Sequence, residues 1–355
     1  MNGGKQGGTR PLRVIEWSGP TNGLAVPYAG WLLARLGAEV VHVVCENVHH
    51  PSLSESPLQL AREAFTERKK AVNPPRNRAG LDTLLLGADV LLCETEAVLA
   101  SLGSDAESLR SSFPELIIGF ASSFGREAAN GQFTPLEIDA QALSASAWSL
   151  GESAREPLTL PAGVVEHQSG VMLAAGCLLA LISRDGSKKG GVVDIALAEV
   201  LASHVAGNCR VYIHHGLKWH RNGRRPYGSC GAYPFAILPC KDGDICISGR
   251  TRAEWERFIK VMGNPAWASE PRYQDLRAMG TRYPEEGDAL LAPWLMQHTR
   301  DELESLALEN NLILSPLRRL DEVLTTPQFH HRGFIDAVSI RDRSFRWPGR
   351  PGSRA

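Results

Sequence analysis

The hydrophobic and polar positions of the N-terminal third alternate between short apolar runs and longer helical stretches. Leu12–Trp17 reads as a strand. In Pro27–Val44, "PYAGWLLARLGAEVVHVV", the stretch Tyr28–Leu36 is apolar on nearly every side, which predicts a helix covered on most faces. Pro27 suits the first helical position, where a missing N–H costs nothing. Gly37 is placed to cap the other end. Val40–Val44 is β-branched apart from His42 and reads as a second strand. Strand, helix and strand in this order make a β-α-β unit, which implies parallel strands and a right-handed crossover.

The alternation continues along the chain. "AGLDTLLLG" and "DAESLRSSF" predict helices, followed by short buried strands at "ADVLLCE" (Ala88–Glu94) and "ELIIGFA" (Glu115–Ala121). Ser123–Pro161 is loop-rich apart from one helical piece, "DAQALSASAW". A long apolar helix is predicted from about Ala162 to Ser183, then a strand in "GGVVDIAL" and a helix ending near Gly216. Gly216–Gly231 is basic and glycine-rich and reads as a linker. A hairpin follows in "AYPFAILPCKDGDICISG", with Asp242–Gly243 as its turn signal. Helices are expected at "RAEWERFIKVMG", "EEGDALLAPWLMQH" and "RDELESLALEN". The expected organisation is a disordered stretch over 1–11, a large α/β domain over 12–215 and the linker over 216–231. A small α+β domain over 232–327 and a C-terminal return segment over 328–355 complete it. The large domain is expected to be Rossmann-like, with a mostly parallel sheet.

Composition narrows the function classes. The 355 residues include 38 basic and 39 acidic side chains, a net charge of −1 that gives no reason to expect nucleic acid or an anionic membrane as partner. The seven cysteines are odd in number and several lie inside apolar runs, as expected of buried, reduced thiols in a cytoplasmic protein. The segment "MNGGKQGGTR" lacks the apolar core of a signal peptide. The apolar stretch Val171–Ile182 is shorter than the ~20 residues of a membrane span. His214, His215 and His220 cluster, and His330 and His331 are adjacent, but no HExxH spacing accompanies them, so no metal site is expected. There is no Walker A motif and no GxGxxG after the first strand.

Four segments, in order, resemble the class III CoA-transferases, the group that includes formyl-CoA transferase and carnitine CoA-transferase. They are "PYAGWLLARLGAEVVHV", "VVEHQSGVMLAAGCLLALISRDGSKKGGVVDIALAEV", "YPFAILPCKDGDICIS" and "LRRLDEVLTTPQFHHRGFI". The resemblance covers nearly all of Leu12–Pro351. It departs at the C-terminus, where relatives usually continue into a further helix.

The resemblance implies acyl-CoA as substrate, a small carboxylic acid as partner substrate and an interlocked dimer. It also implies a nucleophilic aspartate at the start of the long helix, which attacks the thioester to form a mixed anhydride and then an enzyme-CoA thioester. The matching position is Glu166, in "VVEHQSG". Its extra methylene moves the carboxylate by ~1 Å or more, a displacement that can cost ~100-fold in rate. A helix-start glutamate favoured by the macrodipole is the other role open to it. By the same resemblance, CoA contacts fall on Ala25, His42, Lys69 and Lys70. The two lysines, in "TERKKAV", hold positions whose charge reaches the CoA phosphates, or else form a solvated basic turn. Gly228 and Gly231, in "YGSCGAYP", match the family's mobile lid, or an ordinary linker.

Other residues depart from the family. Its "ENFRPG" reads "CETEAV" here, so Glu94 and Glu96 would repel a pyrophosphate. Ile138 stands where the racemase branch has histidine, so that chemistry is not expected, and Asp139 reads as a helix cap. Two functions result. One is a CoA-transferase, working as a homodimer or heterodimer without a metal. The other is a non-catalytic CoA-transferase-like subunit or binding protein that pairs with an active paralogue.

Overall fold

The computed structural model describes residues 10–18, 23–44, 57–66, 69–126, 136–216, 218, 220–225, 233–249, 251–340 and 343–349. The described residues fall into two compact units. The first is drawn from Met1–Ala147, Thr159–Ala206 and His330–Ala355, and the second from Trp148–Leu158 and Gly207–Phe329.

The first unit runs β1 (Arg13–Trp17), α1 (Ala25–Arg35), β2 (Glu39–Val43), α2 (Pro57–Phe65), β3 (Lys70–Val72), α3 (Arg78–Leu85), β4 (Val90–Cys93), α4 (Ala97–Ala100), α5 (Ala106–Ser112) and β5 (Ile117–Ser122). It continues with α6 (Glu137–Leu143), the first half of α7 (Ser146–Ser149), α8 (Val164–Ser187), β6 (Val192–Ala196) and α9 (Leu197–His204). The strands form one parallel sheet in the order β3-β2-β1-β4-β5-β6. The order reverses between β1 and β4, which opens a crevice beyond the carboxyl ends of the strands.

Both faces of the sheet are buried, as a parallel sheet requires. Val14, Val40, Val90, Leu92, Ile117 and Ala121 face α1 and α8. Ile15, Trp17, Val41, Leu91, Ile118 and Phe120 face α3 and α5. By length and composition α8 could cross a membrane. Here one face of it packs on α1, β5, β6 and α9, with Leu173 and Cys177 fully buried, while Leu179 and Ile182 stay exposed. A Cβ on Gly170 would lie 2.6 Å from the Ala25 carbonyl oxygen, so only glycine lets α8 pass this close to α1.

One strand position breaks the apolar rule. Glu16 of β1 is fully buried. Its Oε1 lies 2.8 Å from His42 Nδ1 on the neighbouring strand, and its Oε2 accepts from Lys69 Nζ at 2.5 Å. Lys69 also donates to the Pro27 carbonyl at 2.9 Å. Burial pulls the Lys69 pKa below its ordinary value while Glu16 pulls it up. A Cβ on Gly30 of α1 would sit 1.8 Å from Glu16 Oε2, so the carboxylate fits only under a glycine.

The second unit includes α10 (Ala206–His215), β7 (Phe235–Cys240), β8 (Gly243–Ser248), α11 (Arg252–Val261), α12 (Leu276–Arg282), α13 (Pro284–Leu295), α14 (Arg300–Asn310) and β9 (Leu314–Pro316). The strands form an antiparallel sheet, β7-β8-β9, over a core that contains Tyr233, Ile245, Trp255, Leu291 and Leu303. Arg221 donates to the carbonyls of Trp148, Glu152 and Arg155 and stacks on Trp148, which fastens 148–158 into this unit. The tail forms a hairpin of β10 (Ile335–Ile340) and β11 (Arg343–Pro348) in the first unit, packed on α2 through Ala64, Val338 and Ile340.

Several local expectations shift. Helix α1 starts at Ala25, so Pro27 is its third residue. The expected helix over Asp139–Trp148 begins at Glu137 and breaks at Ala145, whose φ is +63°. Asp139 therefore caps from inside the first turn, accepting the Leu136 N–H at 2.8 Å. The β7–β8 turn is Lys241–Asp242, because Cys240 pairs with Gly243. The described part of the expected linker over 216–231 belongs to the second unit, as do 148–158. Cys93, Cys177 and Cys240 are buried free thiols, but Cys209 and Cys246 are exposed. Burial pushes the Cys177 thiol up to about 12.

Replacing Lys69 by methionine leaves Glu16 buried without its ammonium, and urea unfolding should show a loss of roughly 3–5 kcal/mol. The same change at exposed Lys70 should stay within ~0.5 kcal/mol. Equal losses would contradict the assignment of Lys69 to the buried network.

Candidate active site

The N-terminus of α8 lies inside the first unit, where its unpaired N–H groups need partners. They find one on another helix. Glu137, the first residue of α6, accepts the Gly163 N–H at 2.7 Å through Oε2 and the Val165 N–H at 2.9 Å through Oε1. Gly163 supports this with a left-handed φ of +86°. The Oε2 of the next residue, Glu166, accepts the Leu24 N–H.

The loop after β1 supplies the opposite wall. Gly23 donates its N–H to Glu94 Oε1 at 3.1 Å, and its carbonyl accepts from Arg62 at 2.9 Å. Glu94 follows β4, Ser122 ends β5 and Ser123 follows it. A cavity of about 80 Å³ lies among these groups, lined by Gly23, Ala25, Glu94, Ser122, Glu137 and Glu166 with their neighbours. It occupies the crevice at the switch between β1 and β4, the usual ligand position in open α/β sheets.

Glu166 is largely enclosed, and its pKa rises from an ordinary 4.5 to about 7. Burial is the main cause, and the Glu137 and Glu94 charges add to it. The Leu24 N–H and the Arg62 charge oppose it. Near neutral pH the side chain therefore exists both as a carboxylate, able to attack a carbonyl, and as an acid. The folded protein holds a proton that the unfolded chain releases above pH 4.5. This group's contribution to stability is therefore greatest at low pH and falls as pH rises from about 4.5 to 7.

The residues singled out from the sequence separate into groups. Glu166 and Ala25 meet at the cavity. His42 and Lys69 are held by Glu16, and the side chain of Lys69 is 1% exposed. Its charge is taken up inside the fold, which differs from the expectation of a phosphate contact. Lys70 is exposed on β3. Gly228 and Gly231 lie outside the described residues. Of the two unexpected acids, Glu96 pairs with Arg126 and accepts the Ala106 N–H at 3.3 Å, so Glu94 alone faces the cavity. Glu137 and the Gly23–Leu24 peptide were not legible from the sequence. The sequence places Asp139 at the start of this helix, so neither the first position of Glu137 nor its bonds to a second helix was found there. Among the described residues no group of three or more His, Cys, Asp or Glu side chains could hold a metal.

A sequence model of CoA-transferase family III matches residues 11–353. The chain is 27% identical to the succinate–glutarate CoA-transferase of Agrobacterium fabrum, over 93% of this chain and 85% of that one. It is 26% identical to the succinyl-CoA:(R)-benzylsuccinate CoA-transferase subunit BbsE of Thauera aromatica, over 91% and 82%. It is 25% identical to the formyl-CoA:oxalate CoA-transferase of Afipia carboxidovorans, over 92% and 83%. Its fold matches that of a CAIB/BAIF family protein from Brucella suis with a TM-score of 0.79, 23% identity and coverage of 92% of this chain and 88% of that chain.

Carbon NMR of the glutamate carboxyls, with Glu166→Gln to assign the signal, should show Glu166 titrating near 7. In Glu137→Gln the midpoint should move down, because a negative neighbour is gone. A wild-type midpoint near 4.5 would contradict the enclosed, acidic setting described for this side chain.

Proposed function

The chain belongs to CoA-transferase family III, and on that premise we propose that it moves CoA between an acyl-CoA thioester and a carboxylic acid, with Glu166 as its nucleophile. The observation that carries this is the place of Glu166. It is a carboxylate in the switch-point cavity, on the first turn of α8, held by a backbone N–H from the facing loop. Relatives named for this reaction work on acyl-CoA and small acids.

The chemistry then runs as four acyl transfers. Glu166 Oε attacks the thioester carbonyl, the C–S bond breaks and CoA leaves as thiolate, which gives a mixed anhydride. The thiolate attacks the glutamyl carbon of that anhydride, so the first acid leaves as carboxylate and CoA is held as a glutamyl thioester. The acceptor carboxylate attacks this thioester and expels the thiolate again. The thiolate finally attacks the acceptor's carbonyl carbon, which forms the new acyl-CoA and returns Glu166 as carboxylate. CoA is substrate and carrier at once, and no metal takes part in these steps. The same reading places the enzyme in the cytoplasm, where CoA esters and reduced thiols are found together.

The working unit in this proposal is a dimer, with two copies of this chain or a paralogue as partner. Along α8, Val171, Met172, Leu179 and Ile182 are 42%, 48%, 67% and 71% exposed, a row of apolar side chains of the kind that marks an interface. Light scattering at micromolar concentration should give the mass of a dimer, and Leu179→Glu with Ile182→Glu should lower it. A wild-type monomer would count against this.

Incubation with acyl-CoA should leave an intermediate on Glu166 that hydroxylamine converts to a hydroxamate and borohydride reduces. Glu166→Gln should abolish trapping and keep the fold. Glu166→Asp should slow turnover by ~100-fold, since the shorter arm withdraws the carboxylate by ~1 Å. Trapping that survives Glu166→Gln would refute the assignment. No reaction in either the wild type or Glu166→Asp would favour a non-catalytic partner subunit.

A further inference from the structure

Glu166 reaches the cavity from the first turn of α8, and its hydrogen-bond donor, Leu24, stands at the start of α1. How the two meet depends on the rotation of that turn against α1. The residue after Glu166 holds this rotation. His167 Nδ1 lies 2.5 Å from the Gly163 carbonyl oxygen, which can only accept, so Nδ1 carries the hydrogen. The same carbonyl accepts the His167 backbone N–H at 2.9 Å. The imidazole packs 4.7 Å from the Tyr28 ring of α1 and 5.5 Å from the Phe65 ring of α2, centroid to centroid. Tyr28 and Phe65 are 5.1 Å apart, and Trp347 of β11 stands edge-on to Phe65 at 6.0 Å. One turn further along α8, Gly170 leaves room for Tyr28, since a Cβ there would lie 3.1 Å from Tyr28 Cδ1. The Leu24 side chain is buried in the same cluster. The cluster thus grips both partners of the Glu166–Leu24 hydrogen bond, Leu24 directly and Glu166 through its neighbour. Among the described residues lining the cavity, His167 does not occur.

We propose that His167 is a positioning residue for the reaction. Its ring sets the rotation of the first turn of α8, and so the line along which the Glu166 carboxylate meets the acyl carbonyl. The inference rests on the CoA-transferase reading given above. The two sets of contacts act on different sides of the ring's task. The bond to Gly163 ties the ring to the residue whose N–H is already held by Glu137. The packing on Tyr28 and Phe65 ties the same ring to α1 and α2. Attack on a carbonyl needs reacting atoms ~3–3.5 Å apart with orbitals aligned, and a misplacement of ~1 Å can cost ~100-fold. Loss of the ring therefore slows formation of the Glu166 anhydride and leaves the binding of acyl-CoA in place.

The test uses the full-length protein with acetyl-CoA and succinyl-CoA as donors, read by initial rates and by hydroxylamine trapping at Glu166. His167→Ala should lower kcat and the trapping rate by ~100-fold, with KM for the donor within about twofold of wild type. His167→Asn keeps an N–H near the place of Nδ1, and His167→Phe keeps the ring. Each should recover about tenfold in kcat over His167→Ala, a graded rescue that follows the two contacts. An unchanged kcat in His167→Ala, with Glu166 still labelled, would overturn the inference and leave the CoA-transferase reading standing. A raised KM at unchanged kcat would place His167 in substrate binding and overturn it as well. If His167→Ala fails to fold, the other two variants decide. Each should lose about tenfold in kcat at unchanged KM, and full activity in both would overturn the inference. Failure of either donor to label wild-type Glu166 would overturn both readings.

Discussion

Glu137 closes the start of α8 with both of its oxygens, and the candidate site is built around that pair of bonds. A buried helix end with unpaired N–H groups is costly, and each unsatisfied donor is worth ~1–3 kcal/mol. Supplying the acceptor from α6 solves this and fixes two helices at one point. It also has an electrostatic effect. The positive end of α8 would by itself favour ionised Glu166. With Glu137 already bonded there, that help is partly cancelled, and burial then dominates the pKa. The same contact that sets the position of Glu166 thus sets its proton affinity.

The sheet contributes the other half of the geometry. Residues at the carboxyl ends of β1, β4 and β5 meet at one crevice because the strand order reverses between β1 and β4. Close approach of α8 to α1 at Gly170 brings the first turn of α8 against the loop that carries Leu24. The cavity is therefore a product of sheet topology and one glycine contact, and its chemistry comes from side chains placed on that frame.

Much of the fold was legible because a parallel sheet buried on both faces writes continuous apolar runs, and β1, β2, β4, β5 and α8 all show them. Short edge elements carry no such signal. β3 has three residues, two of them polar or small, and "KKAV" looks like a turn until Val41–Val43 pair with it. The position of Glu166 was legible through the resemblance of "VVEHQSG" to the family motif, at the start of an apolar helix. Lys69 and Glu94 could not be read that way. Whether a lysine faces solvent or a buried carboxylate depends on Glu16, 53 residues away in the chain. The same holds for Glu94 and Glu96, two residues apart, where Arg126 claims one and the cavity the other.

The carboxylate under Gly30 links four positions that are far apart in sequence. Glu16 fills the space a methyl would need at residue 30, and His42 and Lys69 supply its hydrogen bonds. None of the four can drift alone without leaving a buried charge unmatched or a side chain inside another. Substitutions here should therefore travel as sets: a shorter acid at 16 makes room at 30, and an apolar residue at 16 requires one at 69. In the evolution of this chain, the four residues would behave as a single character, inherited or exchanged together.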